Sequence, residues 1–211
     1  KDFSYVTNIA KVPGIVVVHP SVPAKNAKEL IALAKAHPNQ LRHGSTGSGS
    51  PHHLAAELFK TMAGVKMIHI PYKGASPALA DVIAGNAHLY FTSPASAMPF
   101  MPSGRLRMVA VASLKRSTLL PDLPTVAEAG YPDFDVSSWW GVVAPAATPR
   151  EVITRINTDA LKALGTNEIK ERLAALGEDP VGTSPEQFSA WIKDEVVRWA
   201  KVVKASGAKV D

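Results

Sequence analysis

The chain of 211 residues contains no cysteine, so it carries no disulfide framework and is indifferent to the redox state of its compartment. It contains no apolar run approaching the roughly 20 residues that a membrane-spanning helix needs. Dense blocks of lysine or arginine are absent, as are basic stretches interleaved with aromatics, although the net charge is +5. A nucleic-acid-binding reading therefore rests on charge alone, and a mildly basic surface around anion sites accounts for that charge equally well. No signal peptide is visible, which leaves export open, because a mature chain has lost its leader. No Gly-Lys-Ser/Thr follows a glycine-rich loop and no Gly-x-Gly-x-x-Gly occurs. The lysine and magnesium-binding hydroxyl of a P-loop are thus missing, and so is the dinucleotide fingerprint. No Gly-x-Ser-x-Gly elbow stands after a strand at the expected spacing. The composition, 46% hydrophobic and 19% charged, is that of a globular chain rather than a disordered one. Its length suffices for one or two domains and a sizeable core.

What is present centres on Gly44-Ser45-Thr46-Gly47-Ser48-Gly49-Ser50-Pro51-His52-His53. A short apolar and basic segment precedes it, and Leu54, Leu58 and Met62 follow at helical spacing. Ser50 reads as an N-cap and Pro51 as the first helical residue, where its missing N–H costs nothing. The stretch is therefore a strand, a Gly/Ser loop and a helix N-terminus. Unpaired N–H groups and the positive end of the helix dipole suit an anion there. A flexible strand-to-helix turn without a ligand has the same composition.

Along the chain, Gly14-Ile15-Val16-Val17-Val18 reads as a buried strand. A helix around Leu30–Ala34 ends at Pro38. Lys66–Ile70 reads as a strand, followed by Pro71-Tyr72-Lys73-Gly74-Ala75-Ser76-Pro77 and a helix to Gly85. His88–Thr92 reads as another strand, Ser93-Pro94 as the start of a short helix, and Arg107–Ala112 as a further strand. This alternation predicts a mostly parallel sheet covered by helices. Ser50-Pro51, Ser76-Pro77 and Ser93-Pro94 each stand between a strand and a helix, so three helix starts are expected at the carboxyl edge of the sheet, where ligands bind. Leu120–Pro132 reads as loop plus a short helix capped by Thr125. Phe3–Lys11 and Phe134–Ala144 read as extended crossings between lobes. Residues 150–164, 167–176 and 185–206 are helical patterns with almost no strands for them to cover, and Ser184 with Gln187 forms a capping box.

These stretches resemble the periplasmic substrate-binding receptors of tripartite tricarboxylate transporters, the Bug family. The resemblance runs through KDFSYVT, VVHPSVPAKNAKELIALAKAHP, LRHGSTGSGSPHHLAAELFKTMAGV, HIPYKGASPALADVIAGNAHLYF, LPDLPTVAEAGYPDF and SSWWGVVAPAATP, and covers essentially the whole sequence. It implies an α/β, periplasmic-binding-protein type II-like, two-lobed receptor that closes on a small carboxylate. It further implies a periplasmic location, the membrane components of the transporter as partners, no enzymatic activity, no cofactor, no metal and no nucleic acid. In the family a signal peptide, a first strand and a first Gly-rich loop precede the part that begins at Lys1. The expectation is one lobe complete and the other truncated. Residues 14–133 are expected to form the complete α/β ligand-binding lobe, with 1–13 and 134–211 as hinge strands and C-terminal helices of the incomplete lobe. An uncovered apolar helix face there would favour self-association.

Residue by residue, Ser45, Thr46, Gly47, Ser48, Gly49 and Ser50 resemble the family's carboxylate-binding loop, with His53 turned toward it. Tyr72, Lys73, Gly74 and Ala75 resemble a second ligand-facing loop, and Thr92 and Ser93 a third, where relatives often carry Asp-Asn. The alternative is a phosphate- or nucleotide-binding α/β enzyme using the Gly/Ser loop. A metal at His52 and His53 is disfavoured, because adjacent helical residues point about 100° apart. Ser45 with His53 suggests a nucleophile and base, but no third, orienting group completes the set. Lys73 reads as a ligand's counter-charge or as a solvated lysine. Trp139 and Trp140 are expected on opposite faces of a strand.

Overall fold

The structure is a computed structural model, and residues 2–207 are described here. In chain order the elements are β1 (Phe3–Val12), β2 (Ile15–Val18), α1 (Ala27–Ala36), β3 (Arg42–Ser45), α2 (Pro51–Ala63), β4 (Ile68–Pro71), α3 (Ala75–Ile83) and β5 (Leu89–Thr92). There follow α4 (Pro94–Ala97) with a 3-10 turn at Met98–Phe100, β6 (Arg107–Val111), β7 (Ser138–Pro145), α5 (Arg150–Gly165), α6 (Asn167–Leu176), β8 (Asp179–Pro180) and α7 (Pro185–Ser206). They fall into two compact units: Lys1–Val12 with Ser137–Ala200, and Pro13–Val136 with Lys201–Asp211.

The second unit holds a five-stranded sheet in the order β4-β3-β5-β2-β6. Its β2 explains why an unbroken β-branched run appears in the sequence. Val16 and Val18 enter one apolar layer with Leu30, Phe59, Phe91 and Phe134. Ile15 and Val17 enter the opposite layer with Leu79, Val82 and Tyr90. A strand covered on both faces has no polar alternation to show. The sheet is mixed, not mostly parallel: β3 pairs parallel with β4 and β5, whereas β2 pairs antiparallel with β5 and β6. An apolar run records burial but not direction. Because β2 alone is reversed, β3, β4, β5 and β6 still point the same way.

Two other expectations are corrected here. The stretch after Thr125 is a turn, not a helix; the Thr125 hydroxyl accepts the Glu128 N–H at 3.0 Å and the Ala127 carbonyl accepts the Tyr131 N–H, but Pro132, which has no N–H, stops the run. The fourth strand begins at Ile68 rather than Lys66, since Met67 is packed in the core ahead of the pairing.

In the first unit β1 pairs antiparallel with β7, from Phe3↔Pro145 to Val12↔Ser138, and with β8. Asn157 of α5 donates to the carbonyls of Val6 at 3.0 Å and Thr183 at 2.8 Å, and the Thr183 hydroxyl accepts the Asn8 N–H at 2.9 Å. These bonds satisfy buried strand groups that the short β8 leaves open. Phe188 of α7 is fully buried, edge-on to Tyr5 and Trp139 at 5.5 and 5.7 Å between ring centroids. A Cβ on Gly141 would overlap the Phe188 ring, which gives the glycine after the tryptophan pair its reason. Ser184 and Gln187 cap α7 reciprocally at 3.2 and 3.0 Å.

Candidate functional site

Strands β4, β3 and β5 lie side by side and end at Pro71, Ser45 and Thr92. The loops that follow them leave one edge of the sheet. The first two touch: the Ser45 carbonyl accepts the Tyr72 N–H at 3.0 Å, and a Cβ at Gly47 would stand 3.8 Å from the Tyr72 carbonyl oxygen. Gly47 has φ +121°, a region that side chains other than glycine rarely enter. The backbone angle, not lack of space, therefore requires glycine at that position.

Helix α2 starts as its sequence indicates. Ser50 is the N-cap, its hydroxyl accepting the His53 N–H at 3.3 Å, and Pro51 is the first helical residue. Helix α3 does not start at Ser76-Pro77. It starts at Ala75, with Gly74 as N-cap at φ +126° and no side-chain capping bond. Proline fits anywhere in a first turn, so Pro77 did not fix the boundary. The consequence is chemical: the first-turn N–H groups of α3 lack a capping acceptor of their own, at a terminus where the dipole is positive. Ser93 caps the four-residue α4, accepting the Ser96 N–H at 3.4 Å.

A stack of imidazoles braces the first loop. His53 lies 3.8 Å from His69 and His69 5.0 Å from His43, ring centroid to centroid, with planes within about 16° of parallel. Gly49 N–H donates to His53 Nδ1 at 3.1 Å, while His53 Nε2 lies 3.4 Å from Glu57 Oε1. Glu57 is also paired with Lys60 at 2.6 Å. Burial, reinforced by neighbouring positive groups, pushes His43 down to about 3 and His69 down to about 4, and burial lowers His53. The stack is thus uncharged near neutral pH, as three touching imidazoles must be. Alongside, His52 Nδ1 lies 3.0 Å from Thr46 Oγ1, and its ring stacks on Tyr90 at 5.1 Å.

The hydroxyl of Ser45 contacts His69, not His53: Oγ stands 2.6 Å from Nε2 and accepts the Gly47 N–H at 3.1 Å. Ser45 is fully buried, so this pair shapes the loop and presents no accessible nucleophile. Thr46, Gly47, Ser48, Gly49 and Ser50 are half-buried, Lys73 and Ala75 are exposed, and Thr92 is buried at the strand end. Tyr72 donates its hydroxyl to Asp81 at 2.7 Å, an interaction that ties the second loop to α3. Among the described residues no group of three His, Asp or Glu side chains is arranged to hold a metal ion; rings stacked face to face cannot converge their lone pairs. The sequence reading missed His43 and His69. Both stand two residues before a strand end, and β3 and β4 pair them in register, a match that shows only once the pairing is known.

The sequence matches the family model described as "Tripartite tricarboxylate transporter family receptor" over residues 1–208. It is 36% identical to protein BugT of Bordetella pertussis, over all of this chain and 64% of that protein. Among solved structures it is similar to Rpa4515 of R. palustris with adipate, at 38% identity and a TM-score of 0.85, covering 99% of this chain and 70% of that one. It is also similar to MatC from Rhodopseudomonas palustris with bound malate, at 26% identity and a TM-score of 0.77, covering 95% of this chain and 69% of that one. The chain spans about three fifths of the length of the curated relatives it matches.

Proposed function

The chain belongs to the tripartite tricarboxylate transporter receptor family, and from that premise we propose that it captures a small carboxylate at the sheet edge formed by the ends of β3, β4 and β5. One observation carries the reading. A glycine-built loop and the uncapped N-terminus of α3 adjoin at this edge, with Gly47 and Gly74 both at positive φ. Such backbone offers N–H donors to an anion without an arginine, and neither loop contains one. The carboxylate is held by Thr46–Ser50, by Lys73–Ala75 and by the Thr92–Ser93 turn, with Ser45, His53 and Tyr72 fixing the loops from behind. The adipate and malate named with two neighbours support a carboxylate as the ligand class.

In this reading residues 14–133 form the ligand-binding lobe, the protein works in the periplasm, and it delivers its ligand to the transporter's membrane components. It acts as a receptor rather than an enzyme, a reading supported by the burial of Ser45. A second copy is a further partner, recruited by apolar side chains exposed in the first unit, such as Phe3, Trp140, Val196 and Val197.

Calorimetric titration with mono- and dicarboxylates tests the proposal. Gly47→Val forces φ +121° on a β-branched residue and abolishes binding, while circular dichroism stays that of the parent. Lys73→Ala, which removes an exposed charge, weakens binding by only about 1 kcal/mol. Parent-like affinity in Gly47→Val refutes the loop as the site.

A further inference from the structure

Ser45 is the point at which the two loops meet. Its carbonyl accepts the Tyr72 N–H of the second loop at 3.0 Å, and its hydroxyl accepts the Gly47 N–H of the first at 3.1 Å. The same hydroxyl stands 2.6 Å from His69 Nε2. A serine hydroxyl has one proton and two lone pairs. Whether Ser45 or His69 supplies the proton of the 2.6 Å contact, a lone pair remains for the Gly47 N–H. His69 reaches the first loop by a second route as well. Its ring stacks on that of His53 at 3.8 Å, with planes 11° apart, and His53 Nδ1 accepts the Gly49 N–H at 3.1 Å. Strand register places it for both tasks, because His69 of β4 pairs with His43 of β3 just before the two strands end.

The loop needs such support. Gly47 and Gly49 stand at φ +121° and +73°, and glycines have more backbone freedom to lose than any other residue. A loop left free must be ordered when its ligand arrives, and that cost is subtracted from the affinity. We propose that His69 is a positioning residue for carboxylate capture: through Ser45 and His53 it fixes the peptide groups of Gly47 and Gly49, so that Thr46–Ser50 meet the anion already shaped. This rests on the carboxylate reading above. His69 does not touch the anion; its Nε2 is committed to Ser45 and its face to His53.

The test is calorimetry of this chain with adipate and with malate, with the amide resonance of Gly47 followed by NMR. His69→Leu is expected to shift that resonance and to lower affinity about tenfold, the scale of one lost hydrogen bond. His69→Gln, whose side-chain amide can meet the Ser45 hydroxyl, restores affinity to within about threefold of the parent. Ser45→Ala is a smaller change that breaks the same link, so it decides the matter even where His69→Leu fails to fold. It also lowers affinity about tenfold, and adding His69→Leu to it costs less than about threefold more, because residues acting through one link are not additive. Phe59→Leu, in the core against Phe91 and Phe134, lowers the melting temperature and leaves affinity unchanged, which separates lost stability from lost positioning. Parent-like affinity in His69→Leu or Ser45→Ala, full additivity of the two, or a His69→Gln chain as weak as His69→Leu overturns the role of His69. If Gly47→Val still abolishes binding in that event, the carboxylate reading stands. If neither acid binds the parent, both fall.

Discussion

The two units use similar amphipathic helices and reach different degrees of burial. In the Pro13–Val136 part, helices cover both faces of a five-stranded sheet, and Tyr90, Phe59, Phe134, Ile15, Leu30 and Leu89 are all buried to within 2% of full burial. The Lys1–Val12 and Ser137–Ala200 part offers its helices three strands among the described residues, one of them two residues long. There Phe3 is 63% exposed, Trp140 57%, Leu176 53% and Val196 64%. Amphipathic patterning alone does not bury a side chain; a facing surface must exist to receive it. The chemistry follows the same division. All seven histidines fall between His19 and His88, in the unit that carries the loops, and His43, His53 and His69 stack there beside the first loop.

The contrast predicts unequal responses to core truncation. Phe59 packs between Phe91 and Phe134, with ring centroids 5.6 and 5.9 Å away. Phe59→Ala is expected to cost about 3–5 kcal/mol, whereas Val197→Ala, at an exposed position, stays within about 0.5 kcal/mol. Chemical denaturation measures both, and equal losses would dissolve the distinction between the units.

Acid sharpens it next. The folded-state values of His43 and His69 lie below the ordinary 6.5, at about 3 and about 4. The unfolded chain therefore binds more protons than the folded one as pH falls below 6.5. Stability present above that pH is lost downward, by at most about 1.4 kcal/mol per pH unit for each such histidine. The loss runs until the folded values are reached. It acts on the histidine-bearing unit, and since Gly49 N–H bonds to His53 Nδ1, the loop loosens with it. Hydrogen exchange at pH 7 and pH 5, expressed as protection factors so that the pH dependence of intrinsic exchange cancels, is expected to show lower protection at Gly47–His53 in acid and unchanged protection in α5. An equal loss of protection in both places contradicts the assignment.

A further substitution probes a tightly fitted spot of the sparser unit. Gly141→Ala places a Cβ into the Phe188 ring and costs about 1–3 kcal/mol through displacement of that ring. Thermal unfolding checks it, and a neutral result would mean that Phe188 is loosely held.

The legible parts of the sequence were those set by local chemistry. Ser50-Pro51, Ser93-Pro94 and the Ser184/Gln187 box mark helix starts because capping needs only neighbours along the chain. Gly85 likewise stands just past a helix end at positive φ. Ser76-Pro77 misled for the same reason: proline is accepted throughout a first turn, and Gly74, two residues earlier, set the boundary. The histidine stack was not legible. Its members come from β3, α2 and β4, and only strand register and helix packing stack their rings.

The sequence by itself determined the alternation of strands and helices, the Gly/Ser loop ahead of α2, the buried character of β2 and the amphipathic C-terminal helices. Each follows from side-chain periodicity or from hydrogen bonds that close within a few residues. Tertiary structure alone decided that β2 runs against its neighbours, that Ser45 turns inward to His69, that the Tyr90 hydroxyl is buried without a partner among the described residues, and which apolar faces stay open. Those outcomes depend on which groups meet across the fold, and a hydrogen bond or a buried surface has no partner until long-range pairing supplies one.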